Sequence, residues 1–550
     1  MKCCVWIVAV VFAAAASGQV TFERILNASK EPQNWLTYSG GVHGQRHTGL
    51  TQIAPENVKN LEQQWVFQAR SLQQFEATPL VVDGVMYTVQ APNDIVALDA
   101  ASGRVYWTYS YAPSPDARPC CGFINRGLAI LGDTLFMGTV DAHLIAVNAK
   151  SGRPVWDVKV ANAASGYALT HAPLVVKDKL IVGTAGGEYG IRGFIAAYDV
   201  KTGKEAWRFY TIPGPGEPGH ETWLSKDGKD DAWKTGGASV WVTGSYDPDL
   251  NLTYWGIGNP GPDWNGDSRP GDNLYSDSVV ALDPDTGKLK WYYQFSPHDE
   301  FDFDSVQVPV LAEMPWQGKD GRTQQRKVML WANRNGMFYV IDRTSGEFLQ
   351  GKPFAKVNWL TGFDEKGRPM RAPGKTPSTE GTLIYPGNQG ATNWYSPSYS
   401  PRTGLFYIPT WENTSSIYFK SPVEYVEGRT YTGTFPRMTV GFRGSTQNQL
   451  KEDEGYGAIH AMDPKTGERK WEFKMADVTE SGILTTASDL LFAGGREGHF
   501  VALNARTGAL LWKASLGGTN TNGPISYSVN GRQYVAVVSG NSLVAFALRQ

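Results

Sequence analysis

Val96-Ala97-Leu98-Asp99-Ala100-Ala101-Ser102-Gly103-Arg104-Val105-Tyr106-Trp107 is the stretch on which the fold turns. Alternating apolar residues lead into Asp99, a turn closes at Gly103, and a second short strand delivers Trp107. An Asp side chain accepts from turn N–H groups, Gly supplies positive φ, and the flanking alternation fits paired antiparallel strands. The unit recurs at residues 145–156, 196–207, 280–291, 460–471 and 501–512, each time ending on Trp, and a weaker copy at 339–349 ends on Leu349. Spacings of about 40 to 50 residues suit four-stranded propeller blades, with insertions in the longer gaps. Trp65 reads as one more copy, its blade completed by the C-terminal strand at 542–548. Trp65, Trp107, Trp156, Trp207, Trp291, Trp471, Trp512 and Leu349 give eight closures. The expectation is an all-β, eight-bladed β-propeller with Trp-docking repeats, one domain over residues 19–550, around a central channel. Insertions at 211–235 and 350–390, rich in Gly, Pro and charge, read as surface excursions.

Composition agrees with a turn-rich, aromatic-packed chain: 61 of 550 residues are Gly and 19 are Trp, against about 7% Gly in an average protein. A formal net charge of −2 without a basic block excludes nucleic acid as a partner. Met1-Lys2, an apolar run over 5–16 and the small residues Ala16-Ser17-Gly18 read as a signal peptide over 1–18, cleaved before Gln19. An uncleaved anchor is the alternative. No other candidate span follows, so the expectation is an exported protein with no membrane span after cleavage, periplasmic in a Gram-negative source.

Cleavage removes Cys3 and Cys4 and leaves Cys120-Cys121. In an oxidising compartment two adjacent thiols without another partner can bond to each other; a reduced, buried pair is the other reading. The chain has no Cys-x-x-Cys-His, hence no c-type haem attachment, and its eight His show no zinc spacing.

Chemistry concentrates in His298-Asp299-Glu300-Phe301-Asp302-Phe303-Asp304, with four carboxylates in six residues. Period-two alternation would place Asp302 and Asp304 on one side of an extended strand end. Carboxylates so placed repel unless a cation or a proton holds them. A solvated acidic loop is the plain alternative.

With Cys120-Cys121-Gly-Phe-Ile-Asn-Arg126, Trp241-Val-Thr-Gly-Ser-Tyr246-Asp247, Gly258-Asn259-Pro260 and Pro297-His-Asp-Glu-Phe-Asp302 in this order, the chain resembles the bacterial pyrroloquinoline quinone (PQQ) alcohol dehydrogenases of the methanol and ethanol type. The resemblance covers nearly the whole mature chain. It implies that a Cys120–Cys121 disulfide covers one face of PQQ and that Trp241 lies under the other. It implies rim contacts from Glu76, Arg126, Thr170, Ser239 (where many members carry Thr) and Arg334. Gly186 and Gly187 would let the backbone approach the ring, and Asn393 and Trp394 would lie near the cofactor. Glu188, Asn259 and Asp302 match the metal ligands, oxygen donors suited to a hard cation. Asp302 would also be the general base that takes the alcohol proton during hydride transfer to PQQ, with Arg334 and the metal polarising the acceptor oxygen. Asp304 stands where calcium-type members have a small uncharged residue and lanthanide-dependent members have Asp. The implied ion is therefore a lanthanide, with Ca2+ as the alternative.

Two features depart from the family pattern. Glu480 replaces a Trp common over the active site, and the C-terminal part lacks a late Trp-containing loop, so the entrance should be more open or more polar. The expected function is oxidation of primary alcohols, with aldehydes as a second class, passing electrons to a soluble cytochrome c; a homodimer is left open. The rival is a non-catalytic Trp-repeat propeller acting as a scaffold or binding module. That rival explains Asp99, Gly103 and Trp107 but not Cys120-Cys121, Arg334 or the Asp302/Asp304 pair.

Overall fold

The Asp–Gly–Trp unit works between blades. In a computed structural model describing residues 19–225, 230–318, 320–433, 455–475 and 477–549, Asp99 Oδ1 accepts the N–H groups of Ala101 and Ser102, both at 2.9 Å. Gly103 N–H returns to Asp99 O at 2.8 Å. Gly103 has φ +72°, and a Cβ there would lie 2.7 Å from the ring of Trp65, which belongs to the preceding blade. The Trp65 indole N–H then donates to Ala100 O, the residue after the Asp, at 3.2 Å. The same contact joins Trp107 to Ala149, Trp156 to Val200, Trp207 to Pro284 and Trp471 to Ala505. Each indole thus stacks on a glycine that cannot be replaced without displacing the ring, and it satisfies a turn carbonyl of the next blade.

Eight antiparallel four-stranded sheets follow one another around the ring, one of them with an added strand. They span residues 80–109, 129–159, 174–210, 245–294, 310–353, 398–474 and 484–515. The eighth is composite: Ile525–Val529, Arg532–Ser539 and Ser542–Leu548 are completed by Leu61–Gln68 from the start of the chain. Leu61 pairs with Leu548 and Gln68 with Ser542, so the two ends of the chain close the ring by backbone hydrogen bonds. His47–Thr48 adds a parallel strand to the seventh sheet. The third strand of a blade is buried along its middle (Ile95, Val96, Ala97 and Leu98 in the first), while the outer strand alternates. The signal peptide expected over 1–18 lies outside the described residues.

Every blade carries a register shift where its outer strand meets the third. One extra residue, Tyr106 in the first blade, precedes the Trp, and the resulting bulge aims the indole at its neighbour. This register corrects the weak copy. In the fifth blade Leu349 is the extra residue, and Gln350 occupies the Trp position opposite Val340. A Cβ on Gly467 of the next blade would accordingly meet Gln350 and Lys352, and the Gln350 amide reaches the 464–467 turn.

The insertions are not mere surface excursions. Trp223 from 211–235 is fully buried and donates to Leu274 O at 2.5 Å. Trp359 from 350–390 is 2% exposed and packs with Phe301, Phe303, Ile384 and Tyr418. Aromatic side chains of this size find no other way to leave water than under the neighbouring loops.

Candidate functional site

A cavity of about 270 Å³ opens among loops of successive blades. Its walls include Glu76, Cys120, Cys121, Arg126, Thr170, Gly186, Glu188, Ser239, Trp241, Asp302, Asp304, Arg334, Asn393 and Trp394. Residues scattered over more than 300 positions of sequence thus meet because each sits at the same end of its blade. Sequence reasoning did not single out Gln74, Gln389 or Tyr395, which also line it; nothing in their local sequence marks them, only their position beside motif residues.

Two expected residues stand behind the wall. Gly187 packs against Ser239, where a Cβ would lie 3.2 Å from its Oγ. Asn259 is 2% exposed, and its backbone N–H donates to Asp304 Oδ1 at 3.0 Å. Gly186 does line the cavity; its φ of +113° and its close approach to Gly166 O leave no room for a Cβ. Glu480, expected to alter the entrance, is 3% exposed and is not part of the cavity wall. Its neighbour Thr479 is held by the Trp411 indole, which donates to Thr479 O at 2.6 Å.

An exposed Cys120–Cys121 disulfide lines the cavity, with Cys121 Sγ 4.0 Å from Glu188 Oε1. Within the cavity the Arg126 guanidinium lies between the rings of Trp241 (4.9 Å) and Trp394 (4.6 Å). It pairs with Glu76 at 3.0 Å and donates to Thr170 Oγ1 at 3.2 Å. Thr170 is followed by His171, whose ring bonds Ala172 O (2.8 Å) and Gly183 N–H (2.9 Å). A ring that donates on one side and accepts on the other is neutral. Burial pushes His171 down to about 4, while an unfolded chain has about 6.5. The unfolded state therefore binds the extra proton between these values, and stability is lost as pH falls from 6.5 toward 4. Between those limits the unfolding free energy of His171→Gln should fall less steeply than wild type, by about 1.4 kcal/mol per pH unit, in paired denaturant titrations.

The acidic stretch does not form the expected strand end. Asp299 Oδ2 accepts from the N–H groups of Phe301 (3.1 Å) and Phe303 (3.2 Å), curling the chain around itself. Asp302 takes φ +60°, a conformation that a non-glycine residue holds only when its surroundings impose it. Phe301 and Phe303 are buried among Trp359 and Tyr418. Their anchoring turns Asp302 and Asp304 to one guanidinium, Arg334, at 2.9 and 2.6 Å. Arg334 also donates to Asn388 O.

Burial lifts Asp302 well above the usual carboxylate range; Asp304 and Glu188 add to this and Arg334 opposes it. Burial pushes Glu188 up to about 7, with Asp304 adding to it. Such shifts mark unmet demand for positive charge. The donor set is all oxygen, which fits a hard cation and not zinc or copper. Cys120 and Cys121 are spent on each other and leave no thiolate ligand. For a flat, anionic cofactor the cavity offers an aromatic floor and two buried guanidiniums, each with an Nε–H lacking a protein partner among the described residues. The residues present fit both groups.

Comparison with known proteins agrees with this geometry. A family profile described as glucose/ethanol/alcohol dehydrogenase, β-propeller domain (PQQ), matches residues 35–357. A second, described as the outer membrane protein assembly factor BamB, matches only residues 455–550. A quinoprotein alcohol dehydrogenase, PedH, of Pseudomonas putida is 39% identical over 97% of this chain and 90% of its own. The quinohemoprotein alcohol dehydrogenase of Comamonas testosteroni superposes with TM-score 0.88 at 33% identity, covering 98% of this chain and 83% of that one. A europium-containing methanol dehydrogenase does so with TM-score 0.87 at 32% identity, covering 96% and 100%. By its propeller, its cavity and these relatives, the chain belongs to the PQQ-dependent alcohol dehydrogenases.

Proposed function

We propose that this protein oxidises primary alcohols in the periplasm, with aldehydes as a second substrate class, using PQQ and a lanthanide ion and passing electrons singly to a soluble cytochrome c. Convergence of Asp302 and Asp304 on Arg334 carries the reading. Bound PQQ supplies a two-electron acceptor. Arg126, Thr170, Ser239 and Asn393 would hold its polar rim and Trp241 its face, beneath the disulfide. Glu188, Asn259, Asp302 and Asp304 would hold the cation.

Asp302 is the more exposed of the paired carboxylates, 18% against 6% for Asp304. It would take the hydroxyl proton, while Arg334 would supply positive charge to the reduced acceptor. Asp304 is held by the Asn259 N–H on one oxygen and by Arg334 on the other, which would fix it as a further negatively charged ligand. One more carboxylate than a calcium site needs favours a trivalent ion. The europium-containing relative supports the same choice.

Reconstitution of metal-free protein with PQQ and either LaCl3 or CaCl2, followed by dye reduction with primary alcohols, tests the proposal. Lanthanum-dependent turnover is expected, with Asp304→Ala losing it or shifting preference toward calcium. Turnover with calcium alone would discard the lanthanide. Failure to take up PQQ with either ion would return the chain to the non-catalytic propeller.

A further inference from the structure

Behind the cavity lie two carboxyl groups that neither the repeat nor the motifs account for. Asp277 is 0% exposed, and neither of its carboxylate oxygens has a hydrogen-bond partner among the described residues. Asp263 is 1% exposed, and its Oδ1 has none among the same residues. Buried carboxylates left in this way cost several kcal/mol unless a positive charge faces them. Asp277 is tied to the ligand loop by backbone: its N–H donates to Gly258 O at 3.0 Å, beside Asn259. Asp263 follows Pro260-Gly261-Pro262 from the same loop, whose Gly261 N–H donates to Gly236 O. The field of Asp302, Glu188 and Asp304 reaches Asp263, and that of Asp299, Asp304 and Asp302 reaches Asp277.

Charge around this centre is far from balanced. Glu300 is neutralised by Arg371 at 2.5 Å. Six carboxylates remain, Glu188, Asp263, Asp277, Asp299, Asp302 and Asp304. Among the described residues, the field of two guanidiniums, Arg334 and Arg269, opposes them. Arg269 is fully buried and is used on Pro262 O (2.7 Å), Asp299 O (2.8 Å) and Asn273 Oδ1 (2.9 Å). His298 does not help, because burial drives it down to about 4 and its Nδ1 is turned to Gly271 O.

We propose that Asp263 and Asp277 form an outer shell of negative charge that selects a trivalent over a divalent ion at the Glu188–Asp302–Asp304 site. The inference rests on the cation reading above and extends it to residues that need not touch the ion. Through-space attraction scales with ion charge, so loss of one outer carboxylate should weaken a 3+ ion more than a 2+ ion in the ratio 3:2 on a logarithmic scale. Any protonation that accompanies ion release is common to both ions and cancels in the lanthanum-to-calcium affinity ratio, which is the quantity that decides.

The test is calorimetric titration of the full, chelator-stripped protein with LaCl3 or CaCl2, with no turnover assay involved. Asp263→Asn and Asp277→Asn should each weaken lanthanum binding by about tenfold and calcium by only about fivefold, at unchanged far-UV circular dichroism. Asp277→Glu and Asp263→Glu, which keep the charge, should preserve the lanthanum-to-calcium ratio and stand in if an Asn variant does not fold. Unchanged affinities, or equal losses for the two ions, would overturn the outer-shell role. If wild-type protein bound neither ion, the cation site itself would fall, a result distinct from failure of the variants alone.

Discussion

Asp302→Asn is expected to lower kcat by about a thousandfold or more while PQQ absorbance and cation binding persist. Positioned general bases contribute about 10² to 10⁴ in rate, and the amide is nearly isosteric but cannot accept the proton. The Asp302 backbone, held at φ +60° by the Phe301 and Phe303 anchors, should be little affected. The sign of the pH dependence follows from the site. Asp302 acts only when ionised and burial raises its pKa, so kcat/KM falls on the acid side, and this limb should disappear with the residual activity of the variant. Single-turnover dye reduction in the presence of bound ion separates the chemical step from binding. Retention of wild-type turnover would remove Asp302 from the reaction.

Arg343→Met is expected to destabilise the protein by about 3 to 5 kcal/mol, the usual cost of stranding one member of a buried pair. Arg343 sits in the turn of the fifth blade and Asp247 on the first strand of the fourth, both almost fully buried. Arg343 Nε donates to Asp247 Oδ2 at 2.6 Å, and its Nη1 donates to Ala312 O and Val328 O. At the same junction the Trp291 indole N–H lacks a partner among the described residues, and Tyr254 OH takes the turn carbonyl of Arg343 at 2.9 Å. The fourth and fifth blades are therefore clamped by an ion pair and a phenol where other junctions use the indole bond. A shift in the urea midpoint measures the loss. Asp247→Leu combined with Arg343→Met should recover part of it, because the orphaned charge is then gone. A single variant as stable as wild type would show that the pair is not what holds this junction.

The repeat is legible because its parts lie within twelve residues: Asp caps the turn, Gly takes positive φ, and Trp follows at a constant interval. Eight blades and closure by 542–548 follow from that spacing, whereas the candidate site residues are named only through the resemblance to a known family. Local pattern could not show that Gln350, not Leu349, takes the eighth indole place, because a bulge is a property of two paired strands. Nor could it show that Trp223 and Trp359, inside polar insertions, are buried.

The sequence alone determined the residue types at the site, because oxygen donors, guanidiniums and adjacent cysteines have only a few chemical uses. Tertiary structure decided which of them face one another. Asp302 and Asp304 meet on Arg334, thirty residues away, because Phe301 and Phe303 are pulled under Trp359 and Tyr418. Asp263 and Asp277, ordinary loop acids in the sequence, become fully buried neighbours of the other acids only when the ring brings their loop behind the cavity. Burial and long-range electrostatics are sums over the folded neighbourhood, and no window of sequence contains that sum.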